Sequence, residues 1–311
     1  MSVLVSVIVP NYNHGEFLKA RLDSILNQTF SDFEVIILDD CSTDDSKYYI
    51  EQYRSHEKVS NIIYNTTNSG SAFQQWDRGI NLAQGQYIWI AESDDWCEPG
   101  FLDALVGQME IDVNCAISYC QSSVLFGGEI RWQSHHNKLS EVISGKEFIR
   151  SFLSEKPAIF NASMAIWRKA LYNKISKEYM DYRYCGDWFF WIQLAQLGKI
   201  HISGRVLNYF RKHGKDLTTS SKRNCIDVLE GMKIANYLYT NGLIVDREYF
   251  LSYKRHLKLY WHRKSQVNDN NIKRDIENLF RRPLSKKVSK LKALLSAYWS
   301  KLSSKKIELN N

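Results

Sequence analysis

The residues best suited to chemistry are acidic and fall in three places. Asp39 and Asp40 stand together, Glu92-Ser93-Asp94-Asp95 forms a second cluster, and Asp187 stands apart. No Lys or Arg adjoins either cluster. Crowded carboxylates repel one another and persist most easily when a cation joins them. Oxygen ligands suit hard ions, so Mg²⁺ or Mn²⁺ is the expected partner. The same aspartates, taken alone, equally suit capping of the helices or loops that follow them. No Gly-x-Gly-x-x-Gly or Walker A sequence follows the first apolar run, so dinucleotide oxidoreductases and P-loop enzymes lack their main signature. Phosphate bound here is expected to be held through metal rather than by a glycine cradle.

Each cluster ends an apolar run. Val3–Val9 is β-branched and gives way to Pro10-Asn11-Tyr12-Asn13, Phe33–Leu38 gives way to Asp39-Asp40, and Tyr87–Ala91 gives way to Glu92. Asn61–Tyr64 reads as a further strand. Between the strands, Phe17, Leu18, Leu22, Ile25 and Leu26 recur at helical spacing, and Ala72–Ala83 reads as another helix. Ser42-Thr43-Asp44-Asp45 reads as a helix start with Ser42 as N-cap. Apolar strands separated by helices predict an α/β fold, a mostly parallel central sheet flanked by helices. Ligands of such sheets bind beyond the carboxyl ends of the strands. That puts Asn11, Tyr12 and the two acidic clusters on one rim.

The middle of the chain is less regular. Cys115–Phe126 and Glu129–Trp132 flank Gly127-Gly128 as a hairpin, and Ala162–Trp167 and Val206–Phe210 read as strands. Trp188–Leu197 reads as a helix closed by Gly198. Beyond about Ser221 the pattern is helical. The expected organisation is a catalytic domain over residues 1–220 and a helical extension over 221–311.

The 311 residues carry 41 Lys and Arg against 34 Asp and Glu, a formal net charge of +7. From Asn270 onward there are 11 basic and 3 acidic residues. The excess therefore belongs to the C-terminal stretch, and the rest of the chain is close to neutral. The six cysteines include no Cys-x-x-Cys pair, which argues against a thiolate zinc site. The N-terminus has no basic n-region or cleavage site, and no apolar run approaches a bilayer span. A cytoplasmic protein with reduced thiols is expected.

Taken in order, the polar segments resemble a known family. Val5-Ser6-Val7-Ile8-Val9-Pro10-Asn11-Tyr12-Asn13, Ser24–Phe30, Asp39–Ser46, Asn68-Ser69-Gly70, Ala83-Gln84-Gly85, Glu92–Asp95, Gly186–Trp191 and Tyr209–His213 are similar to glycosyltransferase family 2. The likeness covers roughly the first 215 residues. It implies the glycosyltransferase A fold and inverting transfer from a nucleotide-diphosphosugar, typically a uridine one. By that resemblance Pro10, Asn11 and Tyr12 border the nucleoside. Asp40 pairs with the base, with Asp39 beside it. Asp95 ligates the ion bridging the diphosphate, and Asp94 contacts ribose or a metal-bound water. Asp187 is the catalytic base, and Arg211 and His213 belong to a stretch closing over the donor, His213 as a further metal ligand or diphosphate contact. Two departures stand out. Glu92 occupies a position that is often Asp, and Gln75-Trp76-Asp77 replaces the Ala-Arg-Asn of many relatives.

The implied chemistry needs these types. An acceptor hydroxyl loses its proton to a carboxylate as it attacks the anomeric carbon. The charge growing on the departing diphosphate is offset by a divalent cation, and Arg211, His213 or Lys215 can add to that. Asp187 also precedes an amphipathic helix and suits its N-cap, and the two roles are compatible. Trp96, next to the acidic cluster, is a candidate for stacking on an acceptor sugar. Trp188 to Trp191 read as core, and His135-His136 as a solvated loop.

The C-terminal stretch carries Leu284, Val288, Leu291, Leu294, Leu295, Tyr298, Trp299 and Leu302 at helical spacing after Pro283, with lysines largely off that stripe. Such a helix suits an anionic membrane surface. Packing on the catalytic domain is the other reading. The expected partners are a nucleotide-diphosphosugar and a glycan or lipid-linked acceptor, with no nucleic acid. Two rival functions remain open: a sugar-nucleotide-binding protein without transferase activity, and a membrane-associated scaffold.

Overall fold

Strands β1 (Val5–Asn11) and β2 (Phe33–Asp39) are buried along their whole length, as befits apolar, β-branched runs covered on both faces. They belong to a computed structural model that describes residues 3–213 and 224–289 together with Ala293. Two compact units are present. The first comprises Met1–Gly145, Ile159–Met180 and Gln193–His213, and the second Lys146–Ala158, Asp181–Ile192 and the described part of Gly214–Asn311. The division is thus not a single cut near residue 220, because two internal segments group with the C-terminal helices.

The first unit is an α/β structure on one sheet. Its further strands are β3 (Val59–Tyr64), β4 (Tyr87–Ile90), β5 (Trp96–Cys97), β6 (Cys115–Phe126), β7 (Glu129–Gln133), β8 (Ser140–Ser144), β9 (Ala165–Arg168) and β10 (Lys199–Lys212). The strand order is β3-β2-β1-β4-β9-β6-β10-β5. The β3-β2-β1-β4 half is wholly parallel. Strand β9 runs antiparallel to β4 and β6, while β6 and β10 are parallel. The hairpin at Gly127-Gly128 forms as expected, with both glycines at positive φ.

Helices α1 (Gly15–Leu26), α2 (Ser46–Glu51), α3 (Ala72–Leu82) and α4 (Phe101–Ile111) connect the strands. Leu18, Leu22 and Ile25 form the buried face of α1. Helix α3 lies close to β1: a Cβ on Gly79 would fall 2.4 Å from Ile8 Cγ2. The helix start expected at Ser42 lies instead at Ser46. Ser42 spends its side chain on Asn11 and Asn13, which removes it from capping.

The second unit packs three helices, Ile226–Thr240, Asp246–Arg263 and Asn270–Arg281. Tyr249, Tyr253, Leu257 and Tyr260 are buried along the middle one. Leu284–Lys287 take turn and bend conformations rather than the helix expected after Pro283. Ser285 and Lys287 both reach Asp246, and Val288 is buried. Most of the amphipathic stripe, Leu291 to Leu302, lies outside the described residues. No helix among them is long and apolar enough to cross a membrane.

Candidate active site

The register of β1 with β2 sets Asn11 beside Asp39, so the polar residues that end the two strands meet. Asn11 Nδ2 donates to Asp39 Oδ2 at 2.8 Å and to Ser42 Oγ at 3.2 Å. The Ser42 N–H donates to Asp39 Oδ1 at 2.9 Å. Across the same gap the Asn13 N–H donates to Ser42 Oγ and the Thr43 N–H to Asn13 Oδ1. Asn13 and Cys41 adopt positive φ (56° and 64°), which turns each loop sharply off its strand. Pro10 is buried in β1, whereas Tyr12 is 48% exposed at the rim.

The two adjacent aspartates are used differently. Asp40 accepts from Asn65 Nδ2, the Ser69 N–H and Oγ–H, and Gln75 Nε2 at 2.6 to 2.9 Å. It ties the loop after β3 to the start of α3, and both its oxygens are engaged. Asp39 accepts one hydrogen bond on each oxygen from Asn11 and Ser42, which leaves acceptor capacity. Asn11 Oδ1 is buried and accepts no hydrogen bond among the described residues.

The three carboxylates after β4 also diverge. Glu92 accepts the Trp76 indole N–H at 3.1 Å. Burial, and then the charges of Asp94 and Asp95, push its pKa up to about 8. Asp95 is fully buried and accepts from Ser163 Oγ at 2.6 Å, Asn161 Nδ2 at 2.8 Å and the Arg211 N–H at 3.2 Å. Burial and the neighbouring Asp94 raise its pKa. Arg21, buried on α1 with its guanidinium 4.8 Å from the centre of the Trp89 ring, tempers both rises with its charge.

Asp94 turns toward two histidines. His213 Nε2 lies 3.1 Å from Asp94 Oδ2. His14, at the entry to α1, sets Nδ1 2.9 Å from Ser93 Oγ. One ligand atom from each of His14, Asp94 and His213 lies within 4.8 Å of the other two. Burial opposes ionisation of Asp94, but the His213 hydrogen bond and His14 hold its pKa low. Burial lowers the pKa of His14, which favours the neutral imidazole a metal requires. Two imidazole nitrogens and a carboxylate fit a divalent ion, and they suit Mn²⁺ better than Mg²⁺. The ligand expected at Asp95 is not part of this cluster: its carboxylate is committed to Ser163 and Asn161, and Asp94 stands in the cluster.

His14 escaped the sequence reading. The available signal was its place directly after Asn13, at the end of β1. Arg211 sits at the end of β10 with its guanidinium 4.4 Å from the centre of the Phe17 ring and 4.7 Å from that of Trp96. Trp96 also stacks on Tyr209, centroids 5.0 Å apart and planes 5° from parallel. Its ring therefore supports Arg211 and Tyr209. His136, expected in a solvated loop, pairs with Glu141 at 2.9 Å.

In the second unit, Asp187 lies near the start of the helix Gly186–Ala195 and is half-buried. Its Oδ1 accepts the Trp188 N–H at 2.7 Å. Burial pushes its pKa up to about 6, against the pull of backbone N–H groups and with help from Glu230. Such a carboxylate is ionised at neutral pH yet basic enough to take a proton. Trp188, Phe189, Phe190 and Trp191 after it are all core.

Strand-end carboxylates beyond the parallel β3-β2-β1-β4 half stand where open α/β sheets take their ligands. Residues 6–176 match the model of glycosyl transferase family 2, and the chain belongs to that family. It is 36% identical over 110 residues to the glycosyltransferase GlyG of Streptococcus pneumoniae, covering 35% of this chain and 36% of that protein. It is 25% identical over 249 residues to an uncharacterized glycosyltransferase of Haemophilus influenzae, covering 76% and 74% of the two chains. The structure of S. aureus TarS 1-349 in complex with UDP-GlcNAc superposes with a TM-score of 0.68 at 20% identity, over 89% of this chain and 79% of that one. The chain spans half or less of the length of the first curated relatives it matches.

Proposed function

We propose that this chain is a metal-dependent inverting glycosyltransferase that moves a sugar from a uridine-diphosphosugar to an acceptor hydroxyl in cell-surface polysaccharide assembly. The observation that carries it is the convergence of His14, Asp94 and His213 at the carboxyl ends of β1, β4 and β10. The relatives named as glycosyltransferases and the UDP-GlcNAc complex of TarS support the same reading.

The roles follow from the chemistry. Asp39, with acceptor capacity to spare, receives the one free N–H of uracil, and Tyr12 offers the base a ring face. Asp40 holds the loop that walls the pocket. Asp94, His14 and His213 would hold the divalent ion, and Asp95 holds the strand end that carries Arg211. When bound, the ion supplies positive charge opposite the departing diphosphate. Arg211, flattened between Phe17 and Trp96, adds fixed charge at the same developing anion. Asp187 takes the proton of the acceptor hydroxyl as it attacks the anomeric carbon.

The test is a thermal-shift panel of nucleoside diphosphates and their sugars with and without Mn²⁺. Stabilisation grows with ligand concentration over dissociation constant. UDP should stabilise the wild-type protein with Mn²⁺ and much less without it. An equal shift for UDP in the presence of a chelator would overturn the metal-dependent reading.

A further inference from the structure

We propose that Glu230 is a positioning residue for Asp187, fixing from another helix the turn that presents the base. The proposal rests on Asp187 being that base. Glu230 Oε1 accepts the Arg183 N–H at 2.8 Å, and Oε2 accepts the Tyr184 N–H at 2.9 Å and the Cys185 N–H at 2.8 Å. Three successive amides thus converge on one buried carboxylate, 8% exposed.

Glu230 thus holds the segment that leads into the helix of Asp187. The first turn of the helix Gly186–Ala195 is closed by the Phe189 N–H on the Cys185 carbonyl, at 3.0 Å. That makes Cys185 the N-cap, and within the turn the Trp188 N–H goes to Asp187 Oδ1. A carboxylate brought in from the helix Ile226–Thr240 gathers the amides just before the turn. Charge-assisted bonds of this kind are about twice as strong as neutral ones. Asp187 follows Cys185 by two residues.

Glu230 is itself braced. One turn earlier on its helix, Asp227 receives Arg263 through two bonds of 3.1 and 2.9 Å. Beside Glu230, Gly231 lets His256 approach so closely that a Cβ would lie 2.2 Å from Nε2. Tyr184, Cys185 and Glu230 are the titratable groups whose charge couples to Asp187, and Asp227 and Arg263 stand behind them.

The experiment is a ¹³C-carboxyl NMR titration of the full chain, with the Asp187 resonance assigned by its loss in Asp187→Asn, alongside hydrogen exchange at residues 183–185. Glu230→Gln keeps the shape but replaces one acceptor oxygen with a donor. It should lower the Asp187 pKa by about half a unit and speed exchange at the three amides about tenfold or more. Turnover of UDP-GlcNAc as probe donor should fall about ten- to a hundredfold in kcat, with KM little changed. Glu230→Asp, which keeps the charge, should leave the titration nearer wild type and serves if the Gln variant does not fold. An unchanged titration and unchanged exchange in a folded Glu230→Gln protein would overturn the proposal. Turnover retained in Asp187→Asn would instead overturn the assignment of the base.

Discussion

Trp76 donates its indole N–H to Oε1 of Glu92 at 3.1 Å, and this bond joins the two positions at which the chain departs from its family's usual pattern. Glu is one methylene longer than Asp and reaches a side chain on α3 that the shorter acid would miss. Gln75 and Asp77 are absorbed as well, by Asp40 in one case and by Tyr172 and Lys177 in the other. The residues standing where relatives carry Ala-Arg-Asn thus brace the wall of the site.

The first prediction concerns that pair. Trp76→Phe and Glu92→Asp should each destabilise the fold by about 1–2 kcal/mol, the scale of a lost buried hydrogen bond. Because both remove the same bond, the double variant should cost less than the sum. A denaturant-melt double-mutant cycle reads this directly, and simple additivity would mean that the bond contributes nothing.

A second prediction separates the adjacent aspartates. Asp94→Ala and His14→Ala should abolish the Mn²⁺-dependent part of UDP stabilisation while leaving the apo melting temperature near that of wild type. Asp95→Ala should do the reverse first. It strands the donors on Ser163 and Asn161, at about 1–3 kcal/mol each, and lowers the apo melting temperature. Isothermal titration with Mn²⁺ and UDP, paired with melts, distinguishes the two outcomes.

The third follows from Asp187. A base with a pKa of about 6 loses rate below pH 6 as it protonates, by about tenfold per pH unit. Asp187→Asn should reduce turnover by about a thousandfold and spare UDP affinity. The same substitution should raise the melting temperature. An acid whose pKa is higher folded than unfolded favours folding when protonated, so its charge costs stability at neutral pH. The gain should be largest above pH 6 and vanish as pH falls toward 3.8, the ordinary value.

A fourth tests how α3 is seated. Gly79→Ala places a methyl against Ile8 on β1 and should cost about 1–3 kcal/mol through overpacking. Ile8→Ala, which removes Cγ2, should couple to it, so that the double variant costs less than the sum of the two changes. Equal stability of Gly79→Ala and wild type in urea melts would show that the contact yields freely.

Much of this was legible in the sequence where burial and chemistry change abruptly. Strands β1, β2 and β4 are mostly apolar and turn polar at or just past their last residue, so both the sheet and its functional rim could be read from one feature. Strand β10 was read as Val206–Phe210 but runs from Lys199 to Lys212, because His201, Ser203 and Asn208 are buried polar residues that hide the pattern. His14 was illegible because its meaning depends on segments far apart in the chain meeting at one point. Local spacing marks Ser42 as a cap, but its partners lie at the end of the neighbouring strand, which spacing does not reveal. Glu230 looks like any charged residue on a helix until the amides it gathers are in view.

Strand β10 has one further consequence. Between Ile202 and Asn208 it takes six residue steps while β6 takes three, from Tyr119 to Ser122, and the surplus is absorbed in register shifts before the strand delivers Arg211 and His213. Side chains alternate faces along a strand, so removing a single residue from this stretch would swing both groups to the opposite side of the sheet. The stretch therefore works as a spacer whose length is a functional quantity in its own right. Substitutions there can be silent, whereas a one-codon deletion would disarm the proposed ion site from a distance.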